Sequence, residues 1–197
     1  TDSRLYTMAY NIKDVFYLST SAKITKATAS GGSAQLDLSA YIDPIQRGRA
    51  KGTGLAIYKV HVGIMEDGNN SQPIDDAESG TFSYGLIAGA GFGDLATGGI
   101  SIGADSYAMT NSLLIASGQF YGPKSMVANA STTPTMFNEV LTPSTEVPYV
   151  VVRDNVCLTY QIAENMVDDT SLSVRLECAQ ISLDQSTLNQ LLRTQTV

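Results

Sequence analysis

Apolar side chains recur at every second position in one short segment after another, and Gly, Pro, Asn and Asp cluster between those segments. Successive side chains on a strand point to opposite faces, so this alternation marks half-buried β-strands and excludes a helical fold. In Val15–Lys26 it places Phe16, Leu18, Thr20, Ala22 and Ile24 on one face. Ser30-Gly31-Gly32 then predicts a turn, and Ala34–Ile42 returns with Leu36 and Leu38 to complete a hairpin. In Leu55–Met65, Tyr58, Val60, Val62 and Ile64 share one face, and Lys59, His61, Gly63 and Met65 share the other. Thr81–Ala88, Ile100–Ala104, Ser112–Tyr121, Val147–Glu164 and Ser171–Leu183 bring the expected count to about eight strands. Gly89–Gly99, with five glycines, reads as a loop, Asp105–Leu113 as a short helix, and Pro123–Pro148 as a long connection.

The last two strands invite a register argument. Side chains alternate, so a slip of one residue moves a whole face. If the segments pair as a hairpin with Leu158 opposite Leu176, then Tyr160 meets Val174, Ile162 meets Leu172 and Val156 meets Cys178. Cys157 and Cys178 then lie on opposite sides of one sheet. A disulfide requires Cβ atoms about 3.5–4.5 Å apart, so the register predicts two free thiols.

After Leu183 the period changes. Asp184, Ser186 and Thr187 supply N-cap residues, and Leu188, Leu191 and Leu192 follow at helical spacing. Such a short amphipathic helix is marginal alone in water. It must dock on its own domain, dock on a neighbour, or fray. The expectation is a single β-sandwich over residues 1–183 and a tail or arm over 184–197, with Leu188, Leu191 and Leu192 as candidate subunit-interface residues.

Chemistry-bearing residues are scarce. The 197 residues include one histidine, His61, two cysteines and no tryptophan. A lone strand histidine does not make a zinc site, which needs several His, Cys or carboxylate ligands. No Gly-x-Ser-x-Gly elbow is present, and Gly89-Ala90-Gly91-Phe92-Gly93 is not a phosphate-binding fingerprint. The loop Glu66–Gly80 holds Asp67, Asn69, Asp75, Asp76 and Glu78, oxygen donors of the kind calcium takes, but their spacing matches no EF-hand and reads as a solvated acidic loop. Asn69-Asn70-Ser71 and Asn129-Ala130-Ser131 match the glycosylation sequon. No catalytic, cofactor or metal residue is assigned, and the chain is expected not to be an enzyme.

Charged residues make up 16% of the chain, low against the roughly 25% of an average soluble domain. Their signs are segregated. Residues 1–60 carry eight Lys/Arg against four Asp, whereas the whole chain has net charge −7. Complementary potentials of this kind can steer copies of a chain together. The densest basic cluster, Arg47, Arg49 and Lys51, offers three charges for weak contact with nucleic acid or for charge docking. No apolar run reaches the ~18 residues that a membrane helix requires.

Strand number, size, low charge, the closing segments Asn155–Leu183 and the tail Asp184–Val197 together resemble the single jelly-roll viral capsid proteins. The resemblance implies an antiparallel jelly-roll β-sandwich that forms a virion shell with copies of itself and with other capsid proteins. The Arg-rich N-terminal arm frequent in that family is missing, which argues against strong direct binding of a genome. The alternative is a carbohydrate-binding or adhesive extracellular sandwich. Such a module would display exposed aromatics, yet only Tyr6, Tyr10 and Tyr17 lie near one another.

Overall fold

The structure, a computed structural model, describes residues 15–28, 31–43, 51–68, 72–75, 77–89, 107–126 and 136–195. Among these residues, nine strands and two helices follow in the order β1 (Val15–Ile24), β2 (Gly32–Asp37), β3 (Lys51–Glu66), β4 (Thr81–Ala88), β5 (Leu114–Tyr121), α1 (Pro123–Met126), β6 (Met136–Leu141), β7 (Tyr149–Val151), β8 (Asn155–Glu164), β9 (Thr170–Asp184) and α2 (Gln185–Thr194). They form two antiparallel sheets, one ordered β1-β9-β3-β7 and the other β2-β8-β4-β5-β6. Strands from the start of the chain interleave with strands from its end in both sheets. That interleaving is the double Greek key of a jelly roll, with β6 added at one edge.

The alternation placed the faces correctly. Ala22 and Ile24 of β1 are buried, and Phe16 and Leu18 pack on the core beside them. Val156, Leu158, Tyr160 and Ile162 line the inner face of β8, while Leu172, Val174, Leu176 and Cys178 line that of β9. In β3 an irregularity between Ile57 and Lys59 shifts the register against β9, which makes Tyr58 the bulged residue. An extra residue reverses the phase of alternation. Leu55 and Ile57 therefore face inward before it, and Val60, Val62 and Ile64 after it, so Tyr58 does not share their face as expected.

Strand pairing differs from expectation. The predicted hairpin of Val15–Lys26 with Ala34–Ile42 does not form: β1 pairs with β9 and β2 pairs with β8, in opposite sheets. The predicted hairpin of the last two strands does not form either. β8 lies between β2 and β4, and β9 lies between β1 and β3. Residues expected to sit side by side in one sheet instead face one another across the core. Cys157 and Cys178 are both free, but because they belong to different sheets and not because of a hairpin register. Val147–Glu164 is not one strand, since the chain breaks at Val152–Asp154 and changes sheet between β7 and β8. The connection Pro123–Pro148 contains α1 and β6. Residues 107–113 are turns and not a helix, and Ile100–Ala104 lies outside the described residues.

A second apolar layer covers part of the outer faces. Tyr107 lies over Gly85 so closely that a Cβ there would come within 2.5 Å of the ring. Its hydroxyl is 2.9 Å from the Thr159 hydroxyl, which sits 3.2 Å from the Gly85 carbonyl. Ile87, Leu113 and Leu114 bury themselves beside it.

Candidate functional site

Among its described residues the sandwich presents strand edges and two concavities. An exposed strand edge offers unpaired N–H and C=O groups to any other chain. In the β1-β9-β3-β7 sheet, one edge is closed by the tail. Helix α2 begins at Asp184, whose carboxylate accepts the Thr187 N–H at 2.7 Å. Leu188 is completely buried with Val152 and Leu183, and Leu191 and Leu192 pack half-buried against the same cluster beside Val150 and Ile181. Gln195 then reaches β7: its amide nitrogen donates to the Val150 carbonyl at 2.6 Å, and its amide oxygen accepts the Val152 N–H at 3.1 Å. One side chain thus imitates a neighbouring strand along β7. Of the candidate interface leucines, the structure places Leu188 inside the chain's own fold and leaves Leu191 and Leu192 at its margin.

Further along, the edge of β3 is open among the described residues. Its pairing with β7 covers only Leu55, Ala56 and Ile57. Upstream of β7 stands Pro148, which has no N–H to extend the ladder, and residues 144–147 fold into a tight turn closed by Val147 N–H to Ser144 Oγ at 3.1 Å. From Lys59 to Met65, β3 has no strand on this side among the described residues. Glu66 ends the open stretch by donating its N–H to the Gln72 carbonyl at 2.9 Å. Main-chain groups alternate sides along a strand, so the N–H and C=O of Val62 and Ile64 point the same way as those of Glu66. The edge of the other sheet, β6, lies across the same opening. Between them runs an apolar groove of about 280 Å³ lined by Val62, Ile64, Pro73, Ile74, Phe120 and Phe137. Phe137 stacks on Tyr84 with ring centroids 5.9 Å apart and is still 42% exposed.

The outer face of β1, β9 and β3 forms a second, polar concavity of about 690 Å³. Ser19, Ser21, Gly63 and Ser173 make a low floor, and Tyr17, Arg175 and His61 rise around it. The Arg175 guanidinium lies 5.7 Å from the centre of the Tyr17 ring. The Tyr17 hydroxyl donates to Glu177 at 3.2 Å, and His61 Nε2 lies 3.7 Å from the same carboxylate. His61 is therefore a rim residue of a polar surface, on the face that the alternation predicted.

The acidic loop is not uniformly solvated as the sequence implied. Glu78 is buried, and its carboxylate accepts the N–H groups of Gly80 at 2.7 Å, Val167 at 2.9 Å and Asp168 at 3.3 Å. It pins the β3–β4 connection to the β8–β9 turn. Only the spacing of Glu78 two residues before a glycine hinted at this, and that signal is common. Glu66, Asp75 and Asp168 bring carboxylate oxygens within 4.8 Å of one another, while Glu66 also accepts the Asp75 N–H at 3.2 Å. Of the basic cluster, Lys51 is exposed at the start of β3, opposite Asp184, and Arg47 and Arg49 lie outside the described residues.

No family model and no curated protein sequence matches the chain. Among solved structures it is similar to VP1 of Trichodysplasia spinulosa-associated polyomavirus in complex with GM1 oligosaccharide, at 9% identity and TM-score 0.45, covering 87% of this chain and 94% of that one. It is also similar to Human Polyomavirus 12 VP1 in complex with 3'-sialyllactosamine, at 8% identity and TM-score 0.38 over 86% and 99% of the two chains. New Jersey Polyomavirus VP1 in its apo form shares 8% identity and TM-score 0.35 over 86% of this chain and 100% of that one. At these identities the likeness concerns fold alone. By its own strand order, the chain is a jelly-roll β-sandwich.

Proposed function

We propose that this chain is a viral shell protein that assembles with copies of itself, and with other capsid proteins, through the surfaces of its sandwich and its terminal arms. One observation carries the reading: among the described residues, the sandwich is capped on one side of β7 and open along β3 and β6, where main-chain groups and the rings of Phe120 and Phe137 meet a single groove. An edge left open beside apolar side chains is a liability for a monomer and a docking site for a subunit. The low charge content supports the same reading, since few ions need desolvation at a repeated contact. Contact with nucleic acid through Arg47, Arg49 and Lys51 would be weak, because three phosphate contacts supply little affinity at physiological salt. On this reading the protein belongs to the virion. The test is the native assembly state by electron microscopy and mass photometry over a concentration series. Closed, repeating particles or defined oligomers are expected, and a monomer at every concentration overturns the reading.

The second reading is a carbohydrate-binding sandwich, and the polar concavity with Tyr17 and Arg175 favours it. Hydroxyls on its floor and a ring on its rim are the groups that hold sugars. Binding to a panel of neutral and acidic oligosaccharides, lost in Tyr17→Ala and Arg175→Ala, would support that reading over the first.

A further inference from the structure

We propose that the polar concavity on the outer face of β1, β9 and β3 receives the turn at residues 144–147 of a second copy of this chain, with Glu146 of one copy set against Arg175 of the other. The inference rests on the shell-protein reading and names one of its contacts. The turn is convex and held in shape. Ser144 donates its N–H to the Val147 carbonyl at 3.2 Å, and the Val147 N–H returns to Ser144 Oγ at 3.1 Å. Pro143, which is buried, and Pro148 fix the backbone on either side. All four residues of the turn are exposed, and Val147, at 74%, is the most exposed large apolar side chain among the described residues. A loop that is already ordered loses little conformational freedom on docking.

Charge and shape select this pair. Glu177 at the concavity is already engaged: it accepts the Tyr17 hydroxyl and lies 3.7 Å from His61. Arg175 is not. The ion pairs among the described residues join Lys23 to Asp67 and Asp169, and His61 to Glu177. Arg175 rests over the Tyr17 ring at 5.7 Å, which holds its guanidinium at the rim, where the N–H groups suit a carboxylate. Glu146 likewise has no ion-pair partner among the described residues. Within one chain the two do not pair, and β3 separates β7 from β9. The floor of Ser19, Ser21, Gly63 and Ser173 is low, so a protruding turn can enter it. The hollow of about 690 Å³ falls within the roughly 300–1,000 Å³ of sites that enclose a compact group. Two such hollows cannot fill one another, so the fit is knob into hollow and not face to face. Glu146 at Arg175 also brings Val147 towards the Tyr17 ring, which is 59% exposed. A carboxylate that meets a guanidinium there, partly shielded from water, is worth more than the same pair on an open surface.

The experiment reverses the two charges in the full chain and reads assembly by mass photometry over a concentration series. Arg175→Glu and Glu146→Arg should each raise the concentration of half-assembly by more than about tenfold. A chain carrying both should return to within about threefold of the parent, because every contact then holds the same pair with its signs exchanged. Both side chains are exposed, so the thermal midpoint of each variant should match the parent's, which separates a docking defect from a folding defect. Position is read by cross-linking. A chain with Val147→Cys, mixed with one carrying Ser19→Cys, should give a disulfide-linked pair on mild oxidation, identified by peptide mass; Cys157 and Cys178 are buried and do not compete. Val147 borders β7 and Ser19 lies on β1, three strand spacings away in one sheet, about 14 Å, whereas a disulfide spans at most about 7 Å between Cα atoms. Single reversals that assemble as the parent does, a double reversal as weak as the singles, or no linked pair overturn the proposal and leave the shell reading standing. Failure of the unsubstituted chain to assemble sinks the shell reading and the proposal with it.

Discussion

Replacing Glu78 by alanine removes the acceptor of the Gly80, Val167 and Asp168 N–H groups at the junction of two connections. A hydrogen bond to a charged group contributes about 1.5–3 kcal/mol, and a buried donor left without an acceptor adds its desolvation penalty. The three donors are not equivalent. Gly80 is buried, so its bond at 2.7 Å has no substitute. Val167 is 44% exposed, so water can replace the carboxylate there and beside it at Asp168. The net loss for Glu78→Ala is therefore about 2–4 kcal/mol, most of it from Gly80. For a domain of this size that lowers the thermal midpoint by about 5–15 °C. Glu78→Gln keeps one acceptor oxygen and should lose about half as much. Thermal and urea unfolding of both variants, with Glu164→Ala as an exposed control on β8, measures the difference. If Glu78→Ala costs no more than the control, within about 0.5 kcal/mol, the buried carboxylate does not hold the junction and the argument fails.

Gly118→Ala should destabilise by about 1–3 kcal/mol, because overpacking forces neighbours off their rotamers; the new Cβ would come within 2.6 Å of the buried Tyr84 ring, and urea unfolding reads the effect. Gln195→Ala removes both bonds that close β7 and should cost about 1–2 kcal/mol in the same assay. It also bares a second edge, so light scattering should show faster non-specific association than in the parent chain. Burial pushes the Cys178 thiol up to about 12 from 9.0, raises Cys157 as well, and pushes Tyr149 up to about 12 from 10.0. Folded groups that hold their protons longer than unfolded ones favour the native state below the unfolded pKa. Stability should therefore be level below about pH 9 and fall as pH rises from there towards 12, as equilibrium unfolding across that range would show. For the same reason, alkylation near neutral pH should label neither thiol in the native protein and both after unfolding; rapid native labelling would refute their burial.

Which side of each strand faces the core was legible in the sequence, because alternation is local. Phe16 to Ile24, Val156 to Ile162 and Leu172 to Cys178 all bury the residues that their period marks. The β3 bulge escaped that reading, since one inserted residue reverses the phase and Tyr58 looks like a member of the later face. Glu78 escaped it too: an acidic residue in a polar loop reads as solvated until a distant turn supplies its donors. Strand pairing was beyond the reach of the pattern. A neighbour in the same sheet and a partner across the core both satisfy the same apolar face, so β8 and β9 looked like a hairpin although they lie in opposite sheets. Only contacts distant in sequence choose between the two. In the structure β9 lies between β1 and β3, with both of its edges paired. The short pairing of β7 with β3 is a product of the same choice: β7 stops at Pro148 in space, which no local period records.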